Sequence, residues 1–113
     1  MRIAYFDCFS GISGDMCLGA VISAGVDAAE LRDALAKLPV RGYELRWEKI
    51  KANGISAVNV FVDINEEEQP ERCLDEIKQI IDNSELPEKV KKGSLAVFSR
   101  LAAAEATIHD TTP

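Results

Sequence analysis

The sequence has 113 residues, 47% of them hydrophobic and 28% charged, with a formal net charge of -6 at pH 7. These values are typical of one soluble globular domain spanning residues 1–113. The acidic balance argues against nonspecific binding to nucleic acid or to an anionic membrane. No apolar run approaches the roughly 20 residues that a membrane span needs.

The chain opens with a short apolar run, RIAYFD at 2–7, which predicts a buried strand that ends in a carboxylate. Its start lacks the basic head, long apolar run and cleavage site of a signal peptide. The three cysteines, Cys8, Cys17 and Cys73, show no metal-type pair spacing. We therefore expect reduced thiols in a cytoplasmic protein.

Two helices are predicted after the loop DCFSGISGDM at 7–16. The uncharged segment 16–26 predicts a buried helix, and its small side chains would allow close approach to a neighbour; they are Cys17, Ala20 and Ala24. Asp27 and Glu30 form a capping box for a second helix at 28–37, which must stop before Pro39.

A β-hairpin is predicted next, because 43–50 and 55–64 both alternate apolar with polar residues. Asn53 and Gly54 between them supply the left-handed backbone that a two-residue turn needs. The apolar face of the second strand would consist of Val58, Val60, Val62 and Ile64.

The last part of the chain contains an acidic stretch at 63–76, whose first part is predicted to be a solvated loop, and it predicts two helices. The third helix, at about 71–82, would turn its apolar side chains and one thiol inward: Cys73, Leu74, Ile77, Ile80 and Ile81. The fourth and longest begins at Pro87, and its apolar stripe is Val90, Val97, Phe98, Leu101 and Ile108. The fold class is then α/β, an α+β sandwich with a three-stranded sheet and four helices in the order β-α-α-β-β-α-α.

The loop at 7–16 has both a structural and a functional explanation. Ser13 could cap the following helix, and Asp15 would lie in its first turn, where the helix dipole stabilises a carboxylate. Alternatively, the layout of strand, glycine turn and helix start presents backbone N–H groups to an anion. Asp15 would repel a bare phosphate, so a cation held by Asp7 and Asp15 would have to lie between them. The residues alone leave both explanations open.

Other metal-type side chains are equally ambiguous. Cys8 could be a soft metal ligand beside the acids, although a lone cysteine flanking a strand is more often a small buried hydrophobe. The core interpretation is favoured more strongly for Cys17 and Cys73. Glu105 and His109 stand four residues apart on one helix face, a pair suited to zinc or nickel. Two ligands do not make a site, and a histidine at a helix end is commonly just exposed.

The loop motif also resembles the start of the LarC family of nickel insertion proteins, and the resemblance extends over nearly all of the chain. The further matching segments are GYEL at 42–45, NGIS at 53–56, LPEKV at 86–90 and FSRLAAAEATIH at 98–109. One departure is NEEEQPERC at 65–73, where many members of that family carry a histidine-rich stretch and this chain has no histidine.

The resemblance implies a nickel chelatase, a lyase that loads nickel into a pyridinium bis-thiocarboxylate mononucleotide, the cofactor of lactate racemase-type enzymes. It implies CTP with magnesium or manganese, handled by a separate C-terminal nucleotide-binding domain. We accordingly expect residues 1–113 to be an N-terminal domain of a longer protein, inactive alone.

The positions that match the family motif are Asp7, Cys8, Ser10, Gly11, Ser13, Gly14, Asp15, Glu105 and His109. Within the resemblance, Asp7 and Asp15 would bind a cation, while Ser10 or Ser13 and the N–H groups of the glycine turn, which contains Gly11 and Gly14, would contact an anionic substrate. His109 would bind metal only with partners from outside the chain.

Two other hypotheses compete with nickel insertion. In the first, the chain is a non-catalytic assembly module, and the motif caps a helix and packs a subunit interface, such as that of a homo-oligomer. In the second, it is a magnesium-dependent phosphate-ester enzyme, which would need a general base that the loop does not obviously supply.

Overall fold

A computed structural model describes residues 1–65 and 71–109 of the chain. The elements are helices α1 (Gly14–Ser23) and α2 (Ala28–Leu35), strands β1 (Tyr43–Ala52) and β2 (Ile55–Ile64), and helices α3 (Leu74–Asp82) and α4 (Glu88–Ile108). The chain forms two compact units. The first unit contains 1–28 and 43–65, and the second contains 29–42 and the remainder. The first part of the acidic stretch, at 66–70, lies outside the described residues.

The prediction of a three-stranded sheet is wrong, because the described residues form one two-stranded antiparallel sheet. The class of mixed helices and strands is as predicted, and so are the four helices found among the described residues. Residues 2–7 are neither strand nor helix, and Ile3 and Tyr5 are exposed. A strand needs a neighbour to satisfy its N–H and C=O groups, and none of the described strands pairs with this segment. The apolar character of residues 2–7 therefore does not produce a strand.

The β-hairpin is confirmed, with its register running from Tyr43 opposite Ile64 to Ala52 opposite Ile55. Asn53 and Gly54 have positive φ values of 53° and 80°, as the two-residue turn requires. The apolar face is only partly covered: Val60 is buried, while Val62 and Ile64 at the far end are exposed.

Helix α1 packs on β2 through a glycine. Gly19 is buried, and a Cβ built on it would stand 2.3 Å from the carbonyl oxygen of Val58 and 3.9 Å from Cγ2 of Val60. The closest approach of α1 to β2 is therefore at Gly19. Gly19 is adjacent to the small-residue face predicted at Cys17, Ala20 and Ala24.

In the second unit, α3 packs against α4. Ile81 of α3 and Ala106 of α4 are buried, and the Lys91 ammonium donates a hydrogen bond to the carbonyl oxygen of Asp82 at 3.0 Å. The helix ends differ slightly from prediction: α2 stops at Leu35, and α3 begins at Leu74. None of the helices among the described residues is long and apolar enough to cross a membrane.

Candidate functional site: the loop before α1

The polar loop forms a turn ahead of α1. The N–H of Gly11 donates to the carbonyl oxygen of Cys8 at 3.1 Å, and Gly11 has a φ of +82°, a conformation that favours glycine. Ser10 lies within this turn, and Asp7 directly precedes it. All residues from 7 to 16 are exposed, so the loop is open to ligands from solvent.

Ser13 occupies the N-cap position of α1, as predicted, but its side chain does not cap the helix. Its hydroxyl instead donates a short hydrogen bond to Oδ1 of Asp15. The same Oδ1 accepts the backbone N–H of Met16 at 3.0 Å. The carboxylate of Asp15 thus satisfies one of the free N–H groups at the start of the helix.

These hydrogen bonds favour the ionised form of Asp15. The Ser13 hydroxyl is the largest cause that lowers the pKa of Asp15, and the backbone N–H of Met16 lowers it further. The hydrogen bonds from Ser13 and from Met16 both fall on Oδ1. Asp15 therefore presents a negative charge at the exposed start of α1, and a carboxylate is a suitable ligand for a hard cation.

Asp15 also lines a cavity of about 280 Å³ between α1 and β2. Its other lining residues are Met16, Gly19, Ala20, Ser23, Ala57, Val58, Asn59 and Val60. Asp7 and Cys8 are not among them. No three His, Cys, Asp or Glu side chains of the described residues are arranged to hold a metal ion, so joint ligation by Asp7 and Asp15 stays a prediction.

A second cavity, of about 500 Å³ between α3 and α4, is lined by three further metal-type side chains. Glu105 and His109 line it from the end of α4, where the N–H of His109 donates to the carbonyl oxygen of Glu105 at 2.9 Å. Cys73 and Arg72 line the same cavity.

The core interpretation of Cys73 is wrong, because its side chain is exposed. The predicted helix began three residues too early, which placed Cys73 on the inward stripe. The residue is instead the N-cap of α3, outside that stripe. The sequence gives no indication that Cys73 lines the same cavity as Glu105 and His109, because this proximity arises only from the packing of α3 on α4.

The structure thus defines a chain with an open acidic loop and metal-type side chains around a separate cavity. The chain belongs to the nickel insertion protein family, because the model of that family matches residues 4–113. It is 47% identical over 111 residues to the pyridinium-3,5-bisthiocarboxylic acid mononucleotide nickel insertion protein of Desulfitobacterium hafniense, covering 98% of this chain and 27% of that protein.

Two further relatives are provisionally named nickel insertion proteins. The one from Thermomicrobium roseum is 50% identical over 110 residues, covering 96% of this chain and 27% of that protein. The one from Gloeobacter violaceus is 45% identical over 115 residues, covering 100% of this chain and 27% of that protein. The chain therefore spans less than a third of the length of these relatives. No solved structure shows significant similarity to the chain.

Proposed function

We propose that this chain is the N-terminal domain of a cytoplasmic, CTP-dependent nickel chelatase that loads nickel into a pyridinium bis-thiocarboxylate mononucleotide. Membership of the nickel insertion family supports the role of nickel. The Desulfitobacterium hafniense relative supports the mononucleotide, because that protein is named for it. Nickel and the mononucleotide are both substrates in this proposal.

The observation that carries the proposal for this chain is the exposed carboxylate of Asp15 in the first turn of α1, where it also lines the cavity over β2. In the proposal, Asp7 and Asp15 attract the incoming cation, and Ser10 and Ser13 contact the anionic mononucleotide together with N–H groups at the start of α1, where Gly14 lies. The N–H of Gly11 is already donated to the carbonyl oxygen of Cys8, so Gly11 contributes the shape of the turn. A carboxylate attracts a cation, whereas the N-terminus of a helix attracts an anion. The loop is therefore suited to a metal ion and an anion that bind together rather than to either alone.

CTP and its magnesium or manganese ion are assigned to the part of the relatives that this chain does not cover. No group of three His, Cys, Asp or Glu side chains that could hold a metal is found among the described residues. Glu105, His109 and Cys8 would then bind metal only with further ligands. The isolated chain is accordingly expected to be inactive in nickel insertion.

A second candidate function is a non-catalytic module that supports a separate nucleotide-binding domain. The exposed apolar side chains of Val97 and Leu101, one helical turn apart on α4, favour it, because neighbouring exposed apolar side chains can form a patch that contacts a partner. In this case the loop would make no contribution to metal binding.

Calorimetric titration of the chain with Ni²⁺ and Mg²⁺ separates the two candidates. The double variant Asp7→Asn/Asp15→Asn should bind Ni²⁺ roughly tenfold more weakly than the unaltered chain. The matched control is Asp33→Asn/Asp75→Asn, which removes the same charge from exposed helical positions, one of them in the first turn of α3. If the loop variant and the control bind equally, the loop is not the cation site and the assembly module is favoured.

A further inference from the structure

A further cavity, of about 580 Å³, lies between the end of α1 and the turn end of the hairpin. Lys49 and Lys51 of β1 line it, together with the hydroxyl residues Ser23 and Ser56. Its remaining lining residues are apolar: Ile22, Ile50, Ala57 and Val58. All of these residues belong to the first compact unit. Ammonium and hydroxyl groups both donate hydrogen bonds, so this cavity is suited to an anion.

The register of the hairpin separates the two lysines from its acidic side chains. Lys51 is paired with Ser56, and Lys49 and Val60 share their face because side chains alternate along a strand. Val60 contacts α1 near Gly19, so this is the face on which α1 packs. The acids of the two strands occupy the alternate positions and extend from the opposite face; they are Glu44, Glu48 and Asp63. The face at the cavity therefore carries positive charge only.

Lysines at these positions also have a structural explanation. β1 is an edge strand, where lysine discourages pairing with another chain. The C-terminal end of α1 at Ser23 carries roughly half a negative charge, which attracts cations and opposes an anion. Two full positive charges exceed this half charge, however, and no ion pair among the described residues involves Lys49 or Lys51. The excess positive charge favours an anion in the cavity.

This cavity adjoins the one that Asp15 lines. Ser23, Ala57 and Val58 line both cavities, so the two form one groove between α1 and the hairpin. Asp15 and Ser23 are eight positions apart on α1, which corresponds to roughly 12 Å along the helix. The groove therefore has a carboxylate near one end and two ammonium groups near the other.

The mononucleotide of the proposed function has its groups in the matching order. Its thiocarboxylates, which receive the metal, lie on the pyridinium ring, and its phosphate lies at the other end, beyond the ribose. At about 1.5 Å per bond, these two ends are roughly 10 Å apart. We propose that Lys49 and Lys51 bind this phosphate, with hydrogen bonds from Ser23 and Ser56, so that the thiocarboxylates lie at the Asp15 end. This inference rests on the proposed function and adds the binding site of the phosphate.

Metal-free calorimetric titration tests the proposal with two main probes. Nicotinic acid mononucleotide has a pyridinium ring, a carboxylate and a phosphate, and nicotinic acid riboside lacks only the phosphate. The unaltered chain should bind the mononucleotide roughly tenfold more tightly than the riboside. Lys49→Gln/Lys51→Gln should remove this difference, whereas Lys49→Arg/Lys51→Arg, which keeps both charges, should retain it. The matched control Lys89→Gln/Lys92→Gln removes two exposed lysines of α4 and should also retain it.

Equal affinities of the unaltered chain for the two probes would overturn the proposal. A preference for the mononucleotide that survives Lys49→Gln/Lys51→Gln would also overturn it. So would tighter binding of CTP than of the mononucleotide, because the lysines would then serve a nucleoside triphosphate. Circular dichroism verifies folding, and the single variants Lys49→Gln and Lys51→Gln replace the double variant if it does not fold. No metal is present, so these results are separate from the Ni²⁺ titration of Asp7→Asn/Asp15→Asn that tests the proposed function.

Discussion

Gly19 of α1 lies against the backbone of Val58 in β2, so closely that a Cβ on Gly19 would be 2.3 Å from the carbonyl oxygen of Val58. Asp15 lies one helical turn before Gly19, on the same side of α1, and both residues line the cavity over β2. The close approach at Gly19 therefore determines how near the carboxylate of Asp15 lies to β2. The candidate site depends on a residue with no side chain.

We predict that Gly19→Ala lowers the free energy of unfolding by about 1 to 3 kcal/mol, because the added methyl group meets a backbone atom that cannot rotate away. This loss includes the gain of about 1 kcal/mol that alanine normally brings to a helix interior. Equilibrium denaturation in urea measures the difference. Unchanged or increased stability would show that α1 does not pack on β2 at this distance.

Gly93→Ala should have the opposite effect. Gly93 also lies inside a helix, α4, but a Cβ there would meet nothing within 4 Å. Alanine should then raise the free energy of unfolding by about 1 kcal/mol through helix propensity and a less flexible unfolded chain. The same urea experiment tests it, and a destabilised Gly93→Ala variant would contradict an open environment at this position.

Ser13→Ala should raise the pKa of Asp15, because it removes the hydrogen bond that lowers this pKa most. The shift can be followed by NMR titration of the side-chain carboxyl carbon. Ser10→Ala is the matched control, since Ser10 is exposed in the same loop and is not among the causes of the lowered pKa. Equal Asp15 pKa values in the two variants would exclude the Ser13 contact.

The lowered pKa of Asp15 also predicts how the stability of the fold changes with pH. A carboxyl group whose pKa is lower in the folded state stabilises the fold above its unfolded pKa, and this contribution is lost as the pH falls through the folded pKa. The destabilisation caused by Ser13→Ala should therefore be present at neutral pH and disappear in acid. Urea denaturation of the variant and the unaltered chain across this acidic range measures it, and a constant difference would contradict the linkage.

Local features of the fold could be predicted from the sequence. The hairpin follows from Asn53-Gly54 between two alternating segments, because the turn chemistry and the strand pattern are encoded by neighbouring residues. The four helices follow from apolar spacing and from Pro39 and Pro87. The family resemblance, which the motif at 7–16 indicated, is confirmed by the match over residues 4–113.

Features that depend on distant contacts could not be predicted. Whether residues 2–7 form a strand depends on an available sheet edge, which their own side chains do not specify. The importance of Gly19 depends on where β2 passes. The exposure of Leu101 depends on the length and position of α3, because an apolar stripe has the same spacing whether it is covered or not. Joint ligation by Asp7 and Asp15 stays a prediction.

Thiol reactivity tests the corrected position of Cys73. Cys8 and Cys73 are exposed and Cys17 is half-buried in α1, so two thiols of the native chain should react rapidly with a disulfide reagent and the third more slowly. All three should react rapidly in denaturant. Cys73→Ser should reduce the rapid class from two thiols to one and change the free energy of unfolding by no more than about 0.5 kcal/mol. Cys17→Ser, the matched control, should leave two rapid thiols. If Cys73→Ser left the number of rapid thiols unchanged, Cys73 would lie in the core, as the inward stripe of a helix at 71–82 requires.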